Sequence, residues 1–321
     1  MSMNRRRFGI ATSLALTAPA AFAADWPQKP IRLLVPYTPG AFTDTTARIV
    51  AQKLSERLGQ PVVIDNKPGA NGMLAVSEVA KSHPDGYTFT VVIAAHAANA
   101  TLYERKPYSP NDVTGVVQIG TTPFVAAAPN NAPFQTVQEL IAYAKENPGR
   151  LNYGSSGQGS GGHLTAALFE SVAGIKMNHI PYKGTAPAKQ DLIAGRIDFI
   201  FDTASGLAEA GRAGQLRLLG VTSETRLPAL PELATFAEQG VRNFQSASWI
   251  GILAQTDTPK PIVERLAREV GVVTQMDDVK ARLSAIGVEP TPSTPVQFNT
   301  FIAAETQKWG AVIKTAHVKV E

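Results

Sequence analysis

Along this chain of 321 residues, short apolar runs alternate with segments whose apolar residues recur at helical spacing. That alternation is the one-dimensional trace of a largely parallel β-sheet covered by crossover helices. A strand buried on both faces reads as a continuous apolar run, and the helix that returns the chain to the sheet reads as a single apolar stripe. Residues 31 to 35 predict the first strand. Ala47, Val50, Ala51, Leu54 and Leu58 mark the helix that follows, closed by Gly59. Residues 62 to 64 and 88 to 93 predict further strands, with a helix carrying Val76, Val79 and Ala80 between them. A second cycle follows, with helices predicted at 137–145, 163–173 and 187–194 and strands at 151–154, 177–182, 198–202 and 216–221.

The extended apolar segments 124–128 and 249–254 predict two crossings between domains. Dividing the chain there makes residues 24–123 plus 252–321 a discontinuous first domain and 124–251 a second, with the last helices (261–273, 279–286 and 296–313) returning to the first. Two crossing strands make a hinge. No glycine- and serine-rich linker separates independent beads.

The N-terminus reads as an export signal, residues 1–23. Arg5, Arg6 and Arg7 precede an apolar run from Phe8 to Phe22, and Ala21-Phe22-Ala23 supplies a small-x-small cleavage site. A general secretory route and a twin-arginine route both fit it. Cleavage removes three arginines and no acid, lowering the formal net charge from +4 to +1. With the remaining charges interspersed, nucleic-acid binding is excluded. The chain has no cysteine, so disulfides, thiolate metal sites and an N-terminal lipid anchor are excluded as well. His83, His96, His179 and His317 are scattered without metal-ligand spacing, and no metal is expected. The product should be a free protein outside the cytoplasm.

Ligands of open α/β sheets bind at the carboxyl ends of strands, and two such ends carry unusual loops. One runs from Pro39 through Gly40, Ala41, Phe42 and Thr43 to Asp44, with Tyr37 as a further candidate just before it. The other, from Gly154 to His163, contains Ser155, Ser156, Gly157 and Ser160 and enters a helix. A helix N-terminus presents free N–H groups and the positive end of the macrodipole, and glycines allow close approach to the backbone, so the second loop reads as an anion seat. Asp44 is expected to be an N-cap, with a contact to a ligand ammonium group as its alternative. Asp202 should emerge at a strand's carboxyl edge beside Thr203, either holding the cleft loops or receiving an amine. His96 follows the strand 88–93 and either lines the cleft or sits on a plain surface loop.

Two enzymatic patterns fail on inspection. The stretch 157–162 formally matches G-x-G-x-x-G, but the next strand ends in Pro181-Tyr182-Lys183 where a ribose-binding acid belongs, so no dinucleotide cofactor is expected. A triad of Ser155, Ser156 or Ser160 with His163 and Asp202 lacks the G-x-S-x-G elbow, and the serines read as caps and binding groups.

Several phrases, in order, resemble the Bug family, the periplasmic substrate-binding proteins of tripartite tricarboxylate transporters. They include Lys29-Pro-Ile-Arg-Leu-Leu-Val-Pro-Tyr37, Pro39-Gly40 with Asp44, Asn66-Lys-Pro-Gly-Ala-Asn-Gly72 and His83-Pro-Asp-Gly-Tyr87. Leu151-Asn-Tyr-Gly-Ser155, Gly159-Ser-Gly-Gly-His163, Pro181-Tyr-Lys-Gly184, Asp191-Leu-Ile-Ala-Gly195 and Val221-Thr-Ser223 continue the likeness. The resemblance implies a two-domain Venus-flytrap fold of the type II-like binding-protein class that closes on a small carboxylate. It implies ligand loops at 39–44 and 154–160, with backbone amides and ordered waters holding one carboxylate. One departure is Ala41 followed by the bulky Phe42, where the family has a second glycine.

The expectation is therefore a non-enzymatic, monomeric periplasmic receptor. It would bind a dicarboxylate, an amino acid or an aromatic acid between its domains and deliver it to membrane permease subunits. Two rival readings are an exported serine hydrolase using the same loop and a ligand sensor docking to a membrane receptor.

Overall fold

The computed structural model describes residues 26–40, 42–316, 318 and 320. The expected export signal and its cleavage site, together with Ala41 and His317, lie outside the described residues.

The first apolar runs form β1 (Ile31–Val35), β2 (Val62–Asn66) and β3 (Thr88–Ile93), parallel in the order β2-β1-β3. Successive side chains of a strand face opposite ways, and β1 shows both consequences. Leu33 and Val35 join the cluster containing Val50 and Leu54 of α1 (Phe42–Leu58), whereas Leu34 packs with Ala75 and Val79 of α2 (Met73–Ala80). Gly59, at φ +68°, ends α1 in the left-handed conformation that a Cβ would disfavour.

The second cycle repeats this design. β5 (Asn152–Ser155), β6 (Asn178–Pro181) and β7 (Phe199–Thr203) are parallel in the order β7-β5-β6. One face is covered by α4 (Val137–Glu146) and α5 (Gly161–Ala173), the other by α6 (Thr185–Ile193) and α7 (Ala204–Arg212). Phe169 of α5 meets Phe201 of β7 edge-on, with centroids 5.7 Å apart at 79°. This contact seats α5 on the strand that carries Asp202.

Both cycles join one sheet through β4 (Val113–Pro129), β8 (Leu216–Val221) and β9 (Ala247–Gln255). β4 runs antiparallel to β9 from Val113 to Pro123, then antiparallel to β7 and β8 from Phe124 to Pro129. β9 pairs on its other side with β3, and that pairing includes Ile250 and Gly251. The sheet is thus mixed: parallel at both ends and antiparallel where the crossing strands run.

The chain then returns through α8 (Lys260–Thr274), α9 (Asp277–Ala285) and the short β10 (Glu289–Pro290) to α10 (Pro295–Thr315). Thr294 and Gln297 start α10 with a reciprocal capping box. Trp309 and Ile313 of α10 share a cluster with Leu164 of α5 and with Leu102 of α3 (Ala95–Leu102). Two helices, α3 and α7, have no counterpart in the periodicity. Both are rich in alanine or glycine, so neither carries a wide stripe of large apolar residues.

Candidate functional site

Every expected site residue among those described falls at the C-terminal end of β1, β3, β5 or β7, or in the helix turn that follows it. That placement follows from the chain direction: in each β-α unit the strand delivers its last residues to the edge where the next helix N-terminus begins.

After β1, Thr38, Pro39 and Gly40 are exposed, and Gly40 holds φ +79°. Asp44 is the third residue of α1, so it is not the predicted N-cap. Its Oδ2 accepts hydrogen bonds from the Gly40 amide and from Arg48 Nε, both at 2.9 Å, and its Oδ1 accepts from Asn66 Nδ2 at 2.9 Å. Burial works to raise this carboxyl, but the hydrogen bonds from Arg48, Gly40 and Asn66 outweigh it and leave it below the usual carboxylate range. Asp44 therefore anchors the loop with its charge already met by Arg48. Phe42 packs against the apolar cluster of this half, and Thr43 is buried.

Tyr37 and His96 line one small cavity with Asn71, Gly72 and Asn99. Its volume, about 10 Å³, suits a single water molecule. Asn71 Nδ2 donates to Asn99 Oδ1 at 2.9 Å, and Asn99 Nδ2 donates back to the Asn71 carbonyl at 3.0 Å. Burial lowers His96 to about 4, so the ring is neutral, and it stacks on Tyr108. Burial, with a smaller contribution from Tyr103, pushes the Tyr37 hydroxyl well above its ordinary value.

After β5, the loop is tied down at both ends by histidines. Ser155 is fully buried, and its Oγ lies 2.7 Å from His179 Nε2 and 2.9 Å from the Gly157 carbonyl. The Gly159 amide donates to His163 Nδ1 at 3.0 Å. Ser160 is the N-cap of α5, accepting from the His163 amide. Ser156 is half-buried, and its carbonyl accepts from the Gly184 amide at 3.1 Å. His179, dispersed in sequence from the other histidines, lies face to face with His163, their centroids 3.6 Å apart. Nothing local in the chain signals that pair.

The glycines of this loop serve packing more than ligand approach. A Cβ on Gly162 would lie 2.3 Å from the Phe201 carbonyl oxygen, and one on Gly161 would lie 2.5 Å from the Phe124 ring. A Cβ on Gly159 would meet Leu102 at 2.6 Å. Gly157 differs: it holds φ +141°, and a Cβ there would meet only the Tyr182 carbonyl oxygen, at 3.4 Å. The N-terminus of α5 is thereby pressed against β4 and β7, and its first amides, those of Gly161 and Gly162, have no intrahelical partner.

After β7, Asp202 sits between two helix starts. Its Oδ2 accepts from Thr185 Oγ1 of α6 at 2.6 Å, and its Oδ1 accepts from the amide of Thr203, the N-cap of α7, at 2.7 Å. Burial raises this carboxyl despite those bonds. The carboxylate thus serves as the anion for these helix ends, and Thr203 also shares a 2.9 Å hydrogen bond with Ser205.

The two halves touch at Gly159 against Leu102 and at Gly287 against Ala204. A larger groove of about 750 Å³ lies elsewhere, between α5, β6 and the end of α10. Among the described residues it includes His163 and His179 but none of the 37–44 loop. The hydrolase geometry is not assembled, because Ser155 is shielded from solvent and the ring beside it is His179 rather than His163. No group of three or more metal-ligating side chains occurs among the described residues.

A family model described as the tripartite tricarboxylate transporter family receptor matches residues 46–318. The chain belongs to that receptor family. BugT of Bordetella pertussis is 33% identical over 98% of this chain and 97% of its own. Among solved structures, R. palustris Rpa4515 with adipate is 38% identical, with a TM-score of 0.84 over 92% of this chain and 99% of that one. MatC from Rhodopseudomonas palustris with bound malate is 29% identical, with a TM-score of 0.79 over 90% of this chain and 100% of that one. The tripartite transporter receptors are solute-binding proteins rather than enzymes, and their two-domain α/β binding-protein fold is the one described above.

Proposed function

We propose that this receptor captures a small aliphatic dicarboxylate between its two lobes and presents it to the permease subunits of a tripartite transporter. One observation carries the reading: the first amides of α5, at Gly161 and Gly162, have no partner within the helix and lie beside a loop, 154–160, without Lys or Arg, and the loop 37–44 has none either. Such a seat holds an anion by dipoles and neutral donors. Hydrogen bonds to a charged group contribute roughly 1.5–3 kcal/mol each, so a few of them reach the approximately 8 kcal/mol of micromolar capture after ordering costs. The adipate and malate bound to solved relatives support the same chemistry.

Amino acids fit less well. Asp44 is compensated by Arg48, and Asp202 is spent on Thr185 and Thr203, so neither carboxylate waits for an ammonium group. The 750 Å³ groove is not the seat in this reading, because it reaches only one of the two loops. The lobes divide where β4 changes partners, at Pro123 and Phe124, and where β9 begins, at Ala247; this second boundary lies upstream of the 251/252 division expected from sequence. The receptor acts as a monomer in the periplasm, exported by the secretory or twin-arginine route, and carries no catalytic residue.

Native mass spectrometry of the purified protein, followed by calorimetry against adipate, malate, citrate, glutamate and benzoate, tests this reading. Micromolar binding of a dicarboxylate with weaker glutamate binding is expected. A panel without any binder, or one in which glutamate binds tightest, would overturn it.

A further inference from the structure

The floor of the groove holds a pair of side chains that carboxylate capture alone leaves without a task. The imidazoles of His163, in the first turn of α5, and His179, on β6, are stacked with centroids 3.6 Å apart and planes 17° from parallel. Each ring also holds one end of the ligand loop, His179 through Ser155 Oγ at 2.7 Å and His163 through the Gly159 amide at 3.0 Å. Ser155 Oγ in turn accepts from the Gly157 amide at 3.2 Å. The segment from Ser155 to Gly159 is therefore clamped from beneath by two rings that rest on each other.

The chemistry of that clamp depends on protonation. His163 Nδ1 accepts a hydrogen bond, which only an unprotonated nitrogen can do. Two imidazolium ions at this separation would repel each other. The groups facing the stack do not select the cation: β5 supplies Tyr153, whose ring lies 5.0 Å from that of His179, α5 supplies Glu170 and the following turn Lys176. Among the described residues, α10 presents no titratable side chain to the groove.

We propose that His163 and His179 are a positioning pair whose neutral stack keeps the ligand loop aligned with the α5 N-terminus when the surroundings acidify. This rests on the carboxylate reading above. Burial, assisted for His163 by the neighbouring His179, lowers His163 to about 3 and His179 to about 4, so the stack stays neutral in mildly acidic medium. Without its stacking partner, His163 keeps the larger effect of burial but loses the repulsion from His179, so it should take up a proton at a higher pH than in the wild type and release Gly159 when it does.

Adipate affinity of the wild type and His179→Gln, measured by calorimetry at about pH 7.5 and about pH 4.5, tests the pair, because the ratio between proteins cancels the protonation of adipate itself. The variant is expected to bind more weakly at the higher pH, and the ratio to widen at the lower one as His163 takes up its proton earlier than in the wild type. In parallel, the Gly159 amide resonance of the ligand-free variant should titrate at a higher pH than that of the wild type. A deficit equal at both pH values, with an immobile Gly159 resonance, would overturn the proposal. If His179→Gln does not fold, Ser155→Ala keeps the stack and should weaken adipate binding by a pH-independent factor; unchanged affinity would count against the clamp. If adipate binds no protein at either pH, the carboxylate reading fails while the Gly159 titration still decides the positioning role.

Discussion

The Thr222 hydroxyl accepts a hydrogen bond from the Phe124 amide at 2.9 Å, and the Phe124 carbonyl accepts one from the Thr222 amide at 2.9 Å. These reciprocal bonds lie where β4 leaves β9 and begins to pair with β7 and β8. The hydroxyl proton is shared between the carbonyls of Phe124 and Ser246, and Ser246 immediately precedes β9. One buried side chain thus joins both strands that cross between the lobes.

Removing that hydroxyl should be costly. Thr222→Val leaves the Phe124 amide buried without a partner, and urea unfolding is expected to show a loss of about 1–3 kcal/mol. Thr222→Ser retains the bonds and should lose less. Equal losses in the two variants would show that the methyl group, not the hydroxyl, matters at this position.

Thr122, on β4 close to the same crossing, presents the opposite case. Its Oγ1 is buried without a hydrogen-bond partner among the described residues. Thr122→Val removes an unsatisfied polar group, so stability should be unchanged or should rise by about 1 kcal/mol. A loss larger than about 1 kcal/mol in the same unfolding assay would mean that the hydroxyl is satisfied in solution.

The glycines of the two loops should respond differently to alanine. Gly162→Ala drives a Cβ into the Phe201 carbonyl, a backbone atom that cannot swing aside, and overpacking of this kind is expected to cost about 1–3 kcal/mol or more. Gly40 has open space where its Cβ would sit, so Gly40→Ala suffers only the left-handed strain, roughly 1–2 kcal/mol. Urea midpoints that rank Gly40→Ala as the more damaged protein would refute the packing explanation of Gly162.

Acid should destabilise the fold before it protonates the stacked histidines. An unfolded imidazole binds its proton near about 6.5, whereas burial holds His96 and His179 to about 4 and His163 to about 3. Between those values the unfolded chain carries protons that the folded chain refuses, so stability falls as pH drops from about 6.5 towards 4. Asp202, raised by burial, acts in the opposite sense in this window, because its protonation on acidification relieves a folded-state penalty. Unfolding free energies should nonetheless decline from neutral pH to about pH 5, and His96→Leu should make the decline shallower. An identical pH slope in wild type and variant would contradict a buried, neutral His96.

The strands and most of the helices were legible because their signals are local. β1 announces itself by five consecutive apolar or amphipathic residues, α1 by one stripe ending in Gly59, and α5 by Leu164, Ala167 and Leu168 after a capping serine. Each pattern records burial of one element, which the element's own residues must encode. The positions of the candidate site loops followed from the same logic, since a strand that precedes a helix delivers its last residues to the binding edge. The family phrases, which run in order along the chain, carried the carboxylate expectation.

The roles of individual residues within those loops were decided only in three dimensions. Asp44 reads alone as a cap, but Asn66 and Arg48 converge on it and make it an anchor. The glycines of the second loop read as room for a ligand, and Phe124, Phe201 and Leu102 fill most of that room. His179 reads as one of several dispersed histidines until β6 lies beside β5 and brings its ring onto His163. The physical reason is common to all three. Hydrophobic periodicity depends on which side of an element faces the core, and neighbours in sequence settle that. Hydrogen-bond saturation, close backbone approach and ring stacking depend on which separate elements the packed sheet places together. The chain alone thus determined an α/β receptor fold and the loops at its strand ends, and the tertiary structure decided that a neutral histidine stack ties down the second of them.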